Sequence, residues 1–217
     1  SPANTLAGNP SAIKRAIDSG GLSLIKGLQN AYNDIVHNDA IVSQVDKRPF
    51  KVGENLATTP GSVVWRTEMM ELIQYAPNTE TVHAIPLLTV PPQINKAYIN
   101  DLTPQKSIVQ LELAAGIQPF LISWRNPGPE HGEWGLADYV DAVIEAVDVV
   151  CAITGSDKVN LAGACSGGIT LATIMSKMAA LGDDRANAAT YMVCVLQPEA
   201  TDSEVGSLVS ANGIELA

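Results

Sequence analysis

The hexapeptide Gly163-Ala164-Cys165-Ser166-Gly167-Gly168 constrains this chain more than any other stretch. It stands between an apolar run that reads as a strand, residues 159–162, and one that reads as a buried helix, residues 169–181. Gly163, Gly167 and Gly168 around a nucleophile let the backbone turn sharply from strand into helix, which holds the side chain on a strained tip above the sheet edge. A sulfur at that tip, rather than a hydroxyl, points to chemistry through a thioester.

The pattern around this turn repeats strand and helix. Residues 86–90 read as a short buried strand closed by Pro91-Pro92, residues 118–124 as the next, and residues 190–196 as the last. Thr103-Pro104 opens a helix with Ile108, Leu111 and Ala115 on one face, and Gly116 stops it. Leu136, Tyr139, Val140, Val143, Val147, Val150 and Cys151 recur at helical spacing up to Gly155. A further helix is expected to begin at Pro60, with Thr59 as N-cap, Val63, Val64, Met70 and Ile73 on one face, and Pro77 as its stop. Strands alternating with helices imply a mostly parallel sheet with right-handed crossovers, and uniformly apolar strands fit a sheet covered on both faces. With the elbow, this predicts the α/β class and an α/β-hydrolase fold in which Cys replaces the usual Ser. Residues 1–58 are polar to mildly amphipathic, with helical spacing at residues 13–17 and 22–28. They read as an N-terminal docking segment, with residues 31–44 and the loop before Pro49 as an arm rather than a core. Residues 59–217 read as the first portion of the α/β domain.

Aromatic residues make up 5% of the 217, so aliphatic side chains must fill the core. A net charge of −10 argues against nucleic acid and anionic membrane as partners. No run approaches the roughly 20 apolar residues of a bilayer span. Ser1-Pro2-Ala3-Asn4 has neither the basic nor the apolar region of a secretory signal. Cys151, Cys165 and Cys194 form no CxxC and no metal-ligand spacing with His, so free thiols in a reducing cytoplasm, and no metal, are expected.

A thiolate is the working nucleophile, and a helix N-terminus behind Cys165 favours the anion. The oxyanion hole of such a site uses two backbone N–H groups. One belongs to the residue after the nucleophile, Ser166; the other comes from the loop after the early strand, Pro91–Asn95. Pro91 and Pro92 have no N–H, so Gln93 or Ile94 must donate. The base should follow the nucleophile in the order nucleophile, acid, His, yet His37, His83 and His131 all precede Cys165. His83 reads as structural and His131, in the loop 127–135, as solvent-exposed. Asp183, Asp184 and Glu199 flank helix and strand ends without a His partner. The base and its carboxylate are therefore expected beyond this chain. Cys151 reads as a core residue on a helix and Cys194 as one within a strand. Asp138, Asp141, Glu145 and Asp148 read as the wet side of a helix, and Met69, Met70, Met175 and Met178 as core filling. Trp124 and Arg125 end a strand at the edge where open α/β sheets bind ligands, with Arg125 set to pair with a carboxylate. Asn95 and Lys96 are further candidate substrate contacts, Lys96 toward a ligand phosphate.

Four blocks in order resemble the signature segments of polyhydroxyalkanoate synthases. They are residues 50–61 (Phe-Lys-Val-Gly-Glu-Asn-Leu-Ala-Thr-Thr-Pro-Gly), 91–96 (Pro-Pro-Gln-Ile-Asn-Lys), 123–127 (Ser-Trp-Arg-Asn-Pro) and the elbow hexapeptide. The elbow and Glu133-Trp134-Gly135-Leu136 are most similar to the class II, medium-chain enzymes. The resemblance runs over residues 50–205. It implies an acyltransferase that polymerises (R)-3-hydroxyacyl-CoA thioesters into a polyester through an acyl-Cys165 intermediate. Coenzyme A is then a leaving group, and no cofactor is needed. It also implies a homodimer in the cytoplasm at the surface of polyester granules rather than in a membrane. An Asp and a His further along the family's chains imply that this chain is an internal fragment, inactive alone. Two other readings remain on the residues themselves: a Cys-dependent thioesterase or ester hydrolase, in which water resolves the acyl-Cys, and a non-catalytic granule-associated protein.

Overall fold

A strand that is apolar on both faces needs cover on both sides, and β6 (Pro119–Trp124) has it. Phe120 and Ile122 face a layer shared with Val143, Ala146, Val147 and Val150 of α4 (Leu136–Thr154) and Leu171 and Ile174 of α5 (Ser166–Leu181). Leu121 points the other way, against Tyr75 and against Val109 and Leu113 of α3 (Ile108–Ala114). Each fully buried Leu, Ile or Phe of this kind contributes roughly 1.5–3 kcal/mol.

The computed structural model describes residues 8–196. Its sheet has the order β1 (Gly61–Arg66), β2 (Met70–Tyr75), β6, β3 (Leu87–Val90), β7 (Val159–Ala164) and β8 (Ala186–Met192). β6, β3, β7 and β8 are parallel neighbours. β1 and β2 form an antiparallel hairpin joined through β2 to β6, again antiparallel. β4 (Asp101–Thr103) and β5 (Lys106–Ser107) make a separate ribbon. The mostly parallel sheet with helices on both faces is the α/β architecture the alternation predicts.

The hairpin corrects the helix expected from Pro60. Thr59 is no N-cap: its hydroxyl donates to the buried Asp101 carboxylate at 2.6 Å and its N–H to the same group at 3.0 Å. Thr67 makes the turn, its hydroxyl oxygen accepting from the Met69 and Met70 N–H groups. Val63-Val64-Trp65 suits a strand, and pairing of Met70 with Trp124 and Leu72 with Ile122 decides the matter.

α3 starts at Ile108, four residues past Pro104, because Ser107 caps it by accepting the Gln110 N–H. Its buried stripe is Val109 and Leu113; Ile108 and Leu111 are exposed, opposite to expectation. The Ser107 hydroxyl also donates to Asp101, which anchors the helix start and sets the inward face. β8 begins earlier than expected and ends at Met192, where Val193 turns to a φ of 44°, so Cys194 lies beyond the strand. α4 matches expectation, and Gly155 ends it with a φ of 68°.

The described residues divide into two units between Phe50 and Lys51, not after residue 58. Residues 51–58 belong with the sheet, where the Ala57 N–H donates to the Asp101 carbonyl. The first unit holds α1 (Pro10–Asp18), capped by Asn9, and α2 (Leu22–His37), which runs into the segment read as an arm; neither helix buries a residue. Among the described residues no helix is long and apolar enough to cross a membrane, and no His, Cys, Asp and Glu group could hold a metal ion.

Candidate active site

Parallel pairing brings the C-terminal ends of β6, β3 and β7 side by side, with Val90 opposite Gly163. Cys165 follows β7 directly and serves as the N-cap position of α5. Its backbone has φ 51° and ψ −122°. For a residue with a Cβ that conformation costs about 1–3 kcal/mol, and surrounding contacts must hold it. The Cys165 N–H donates to the Met192 carbonyl at 3.0 Å, and its own carbonyl accepts from Gly168 and Ile169. The side chain is exposed.

The elbow glycines do a different job from the one the sequence suggests. The sharp turn is made by the positive φ of Cys165, and the glycines provide clearance. A Cβ on Gly163 would meet the Gly167 carbonyl oxygen at 2.8 Å; one on Gly167 would run into the Val90 carbonyl oxygen and lie 2.7 Å from Pro91. On Gly168 it would lie 2.7 Å from Cys194 Sγ. The helix start is thus seated against the end of β3.

Ser166 is the first residue of α5, so its N–H has no acceptor within the helix. In the facing loop the Asn95 N–H closes a turn onto the Pro92 carbonyl at 3.0 Å, while among the described residues the Gln93 and Ile94 N–H groups donate to no backbone acceptor. Ile94 is exposed and Gln93 half-buried. The Gln93 side chain reaches across to α5: its Oε1 accepts from the Ser166 hydroxyl at 2.9 Å and its Nε2 donates to Thr170 Oγ1 at 2.8 Å. The sequence reading missed that link. Its only trace is that Ser166 and Thr170 stand four apart on one helix face.

Trp124 is buried, and its indole N–H donates to the Pro91 carbonyl at 2.8 Å, tying β6 to the same loop. Arg125 is exposed and does not pair with a carboxylate among the described residues; its Nη1 donates to the Glu68 carbonyl at 3.4 Å. Arg66, Glu68, Glu71, Ser123, Trp124 and Arg125 line a cavity of about 360 Å³ beside it. Lys96 is exposed and Asn95 half-buried.

His131 corrects the expectation of an exposed residue. It is buried against Trp134, with ring centroids 4.1 Å apart. Its Nδ1 accepts the Gly128 N–H at 2.9 Å, and Nε2 has no hydrogen-bond partner, with Glu68 Oε1 3.5 Å away. His83 is exposed before β3, at the sheet edge opposite Cys165. No His side chain among the described residues bonds to Cys165. Asp183 pairs with Arg185 at 2.7 Å in a partly buried ion pair, and the exposed Asp184 pairs with Lys158 at 3.0 Å; Glu199 lies outside the described residues. Cys151 is half-buried against the core, and burial pushes its thiol up, away from reactivity.

The model of the poly-beta-hydroxybutyrate polymerase (PhaC) N-terminus matches residues 1–112. The chain belongs to the PhaC polymerase family. The match takes in residues 1–50, which lie ahead of the four blocks that carry the resemblance. Among PhaC-family relatives, poly(3-hydroxyalkanoate) polymerase 1 of Ectopseudomonas oleovorans is 50% identical over 216 residues, which is 100% of this chain and 38% of that protein. Polymerase 2 of the same organism is 50% identical, over 90% of this chain and 35% of its own length. The PhaC polymerase subunit of Cupriavidus necator is 43% identical, over 90% of this chain and 33% of its own length. The chain thus spans about a third of each relative's length. Solved structures give the fold: the hormone-sensitive-lipase homologue EstE7 aligns with a TM-score of 0.50 at 13% identity, over 75% of this chain and 52% of its own. A Rhizomucor miehei esterase aligns with a TM-score of 0.50 at 13% identity, over 87% of this chain and 57% of its own. This is the α/β-hydrolase fold.

Proposed function

We propose that this chain carries the nucleophile of a polyhydroxyalkanoate synthase. Cys165 Sγ attacks the thioester carbonyl of an (R)-3-hydroxyacyl-CoA, and the C–S bond to coenzyme A breaks. The Cys165 proton leaves with the coenzyme A thiol, through a His oriented by an Asp, both supplied beyond this sequence, whose three His all precede Cys165. The acyl-Cys165 then yields to the hydroxyl of a second hydroxyacyl group, which extends the polyester. Exchange of one thioester for another is close to thermoneutral, and a cysteine thioester stays activated toward a hydroxyl.

The observation that carries this reading is the exposed Cys165 held at φ 51° on the tip of a strand-to-helix elbow. In the oxyanion hole, Ser166 N–H and the Gln93 or Ile94 N–H take up the charge that develops on the carbonyl oxygen, the largest single contribution in acyl transfer. Asn95, Lys96, Trp124 and Arg125 border the same edge as substrate contacts. The working enzyme is a cytoplasmic homodimer at the surface of its own apolar product. Identity to polymerases over nearly the whole chain supports the synthase reading; the class II reading leans on the higher identity to the two Ectopseudomonas oleovorans enzymes.

The test uses the full-length enzyme and acyl-labelled (R)-3-hydroxydecanoyl-CoA. Label on Cys165 and in polymer is expected, and Cys165→Ala should lower coenzyme A release by roughly 1,000-fold or more. Free hydroxy acid without polymer replaces the synthase with a hydrolase. Undiminished release from Cys165→Ala removes Cys165 from the chemistry.

A further inference from the structure

The two halves of the oxyanion hole sit on different elements, the loop after β3 and the first turn of α5. They are 73 residues apart where the Gln93 and Ser166 side chains meet. Acyl-transfer sites must hold such donors within about 0.5 Å of their working positions. The base of the loop is fixed by the Trp124 indole on the Pro91 carbonyl and by the close seat of Gly167 on Val90. Beyond Pro92 that support ends, and Ile94 at the tip is 86% exposed.

The Gln93 amide spans the remaining gap. Its oxygen takes the Ser166 hydroxyl at 2.9 Å, and its nitrogen gives to Thr170 Oγ1 at 2.8 Å. The Thr170 hydroxyl in turn donates to the Ser166 carbonyl at 3.1 Å, and Thr170 is 1% exposed. One side chain therefore clasps both ends of the first helical turn, through an anchor that cannot swing into water. Ser166 and Gln93 are also the residues whose backbone N–H groups are candidates for the oxyanion.

We infer that the Gln93 side chain is a positioning residue for acyl transfer, setting the separation of the two backbone amides by bridging Ser166 and Thr170. The inference rests on the acyl-Cys165 reading. Gln93 donates no proton to the reaction and touches no reacting atom through its side chain; it acts through the backbone it holds.

The test is single-turnover acylation of Cys165 in the full-length enzyme, followed beside alkylation of the same thiol by iodoacetamide. Alkylation passes through no oxyanion, so it reports the thiolate and its access without the hole. Gln93→Ala should slow acylation by roughly 10–100-fold, less than outright loss of a donor, with KM changed by less than about twofold. Thr170→Val, which keeps shape but removes the anchor, should do the same, whereas Thr170→Ser should restore most of the rate. The double variant should be no slower than the slower single, since both break one clasp. Alkylation should stay within about twofold throughout. Acylation at the parental rate in both single variants overturns the inference; so does alkylation falling in step with acylation, which marks a collapsed elbow. Failure of the underlying reading shows separately, as acylation that survives Cys165→Ala.

Discussion

Helix α2 carries Leu22, Ile25, Leu28, Tyr32 and Ile35 along one stripe, and helix α4 carries Val140, Val143, Val147 and Val150 along another. Every member of the first stripe is more than half exposed, and no member of the second exceeds 2% exposure. The lengths are similar, 16 and 19 residues. The spacing of apolar residues thus defines a face; only a packed partner turns that face into stability. α4 has the sheet and α5 to pack on, whereas within its own unit α2 buries nothing. An isolated helix of this length is marginal in water, so most helical stability must come from such packing.

The sharpest way to break this contrast is to place a carboxylate on each stripe. Val147→Asp should cost about 4 kcal/mol or more, because it buries an unpaired charge among apolar side chains; urea denaturation measures it. Next comes α3, a packed helix with a built-in flaw. Burial pushes the Glu112 carboxyl up to about 7 from its usual 4.5. The unfolded chain then releases this proton before the folded one does. Stability should fall as pH rises from about 4.5 to about 7 and level off above, a loss of roughly 2–3 kcal/mol. Glu112→Gln should flatten that slope, as urea midpoints at pH 5 and pH 8 show. Gly167→Ala should cost about 1–3 kcal/mol by pressing the start of α5 off Val90, with acyl transfer falling too. Smallest of all, Leu28→Asp on α2 should change the unfolding free energy by less than about 0.5 kcal/mol. A large effect there would mean that α2 has a packed partner.

The elbow was legible because it is contiguous: six residues between two periodic runs, with the whole motif inside one strand-turn-helix unit. α4 was legible for the same reason, its pattern and its Gly155 stop being local. The β1–β2 hairpin was not. Val63, Val64, Met70 and Ile73 fit a helical face, and the pairing of Met70 with Trp124 that overrides it spans 54 positions. His131 failed differently: a polar loop reads as wet, but Trp134, three residues on, folds over the ring. The Gln93 bridge lies beyond any local pattern, since its partners are on another element. Even at the elbow, the sequence showed where the turn is and not which residue bears it; the positive φ falls on Cys165.

The placement of β3 has a consequence for biosynthesis. During translation Leu87–Val90 leaves the ribosome well before either neighbour, residues 119–124 on one side and 159–164 on the other. Pairing at such separation is slow, and the apolar segment waits uncovered in the meantime. The seat that Val90 offers to Gly167 forms only once β7 has docked on β3, so the elbow geometry follows that pairing. Nascent chains stalled before and after β7 has cleared the ribosome should therefore separate a protease-sensitive species from a resistant one.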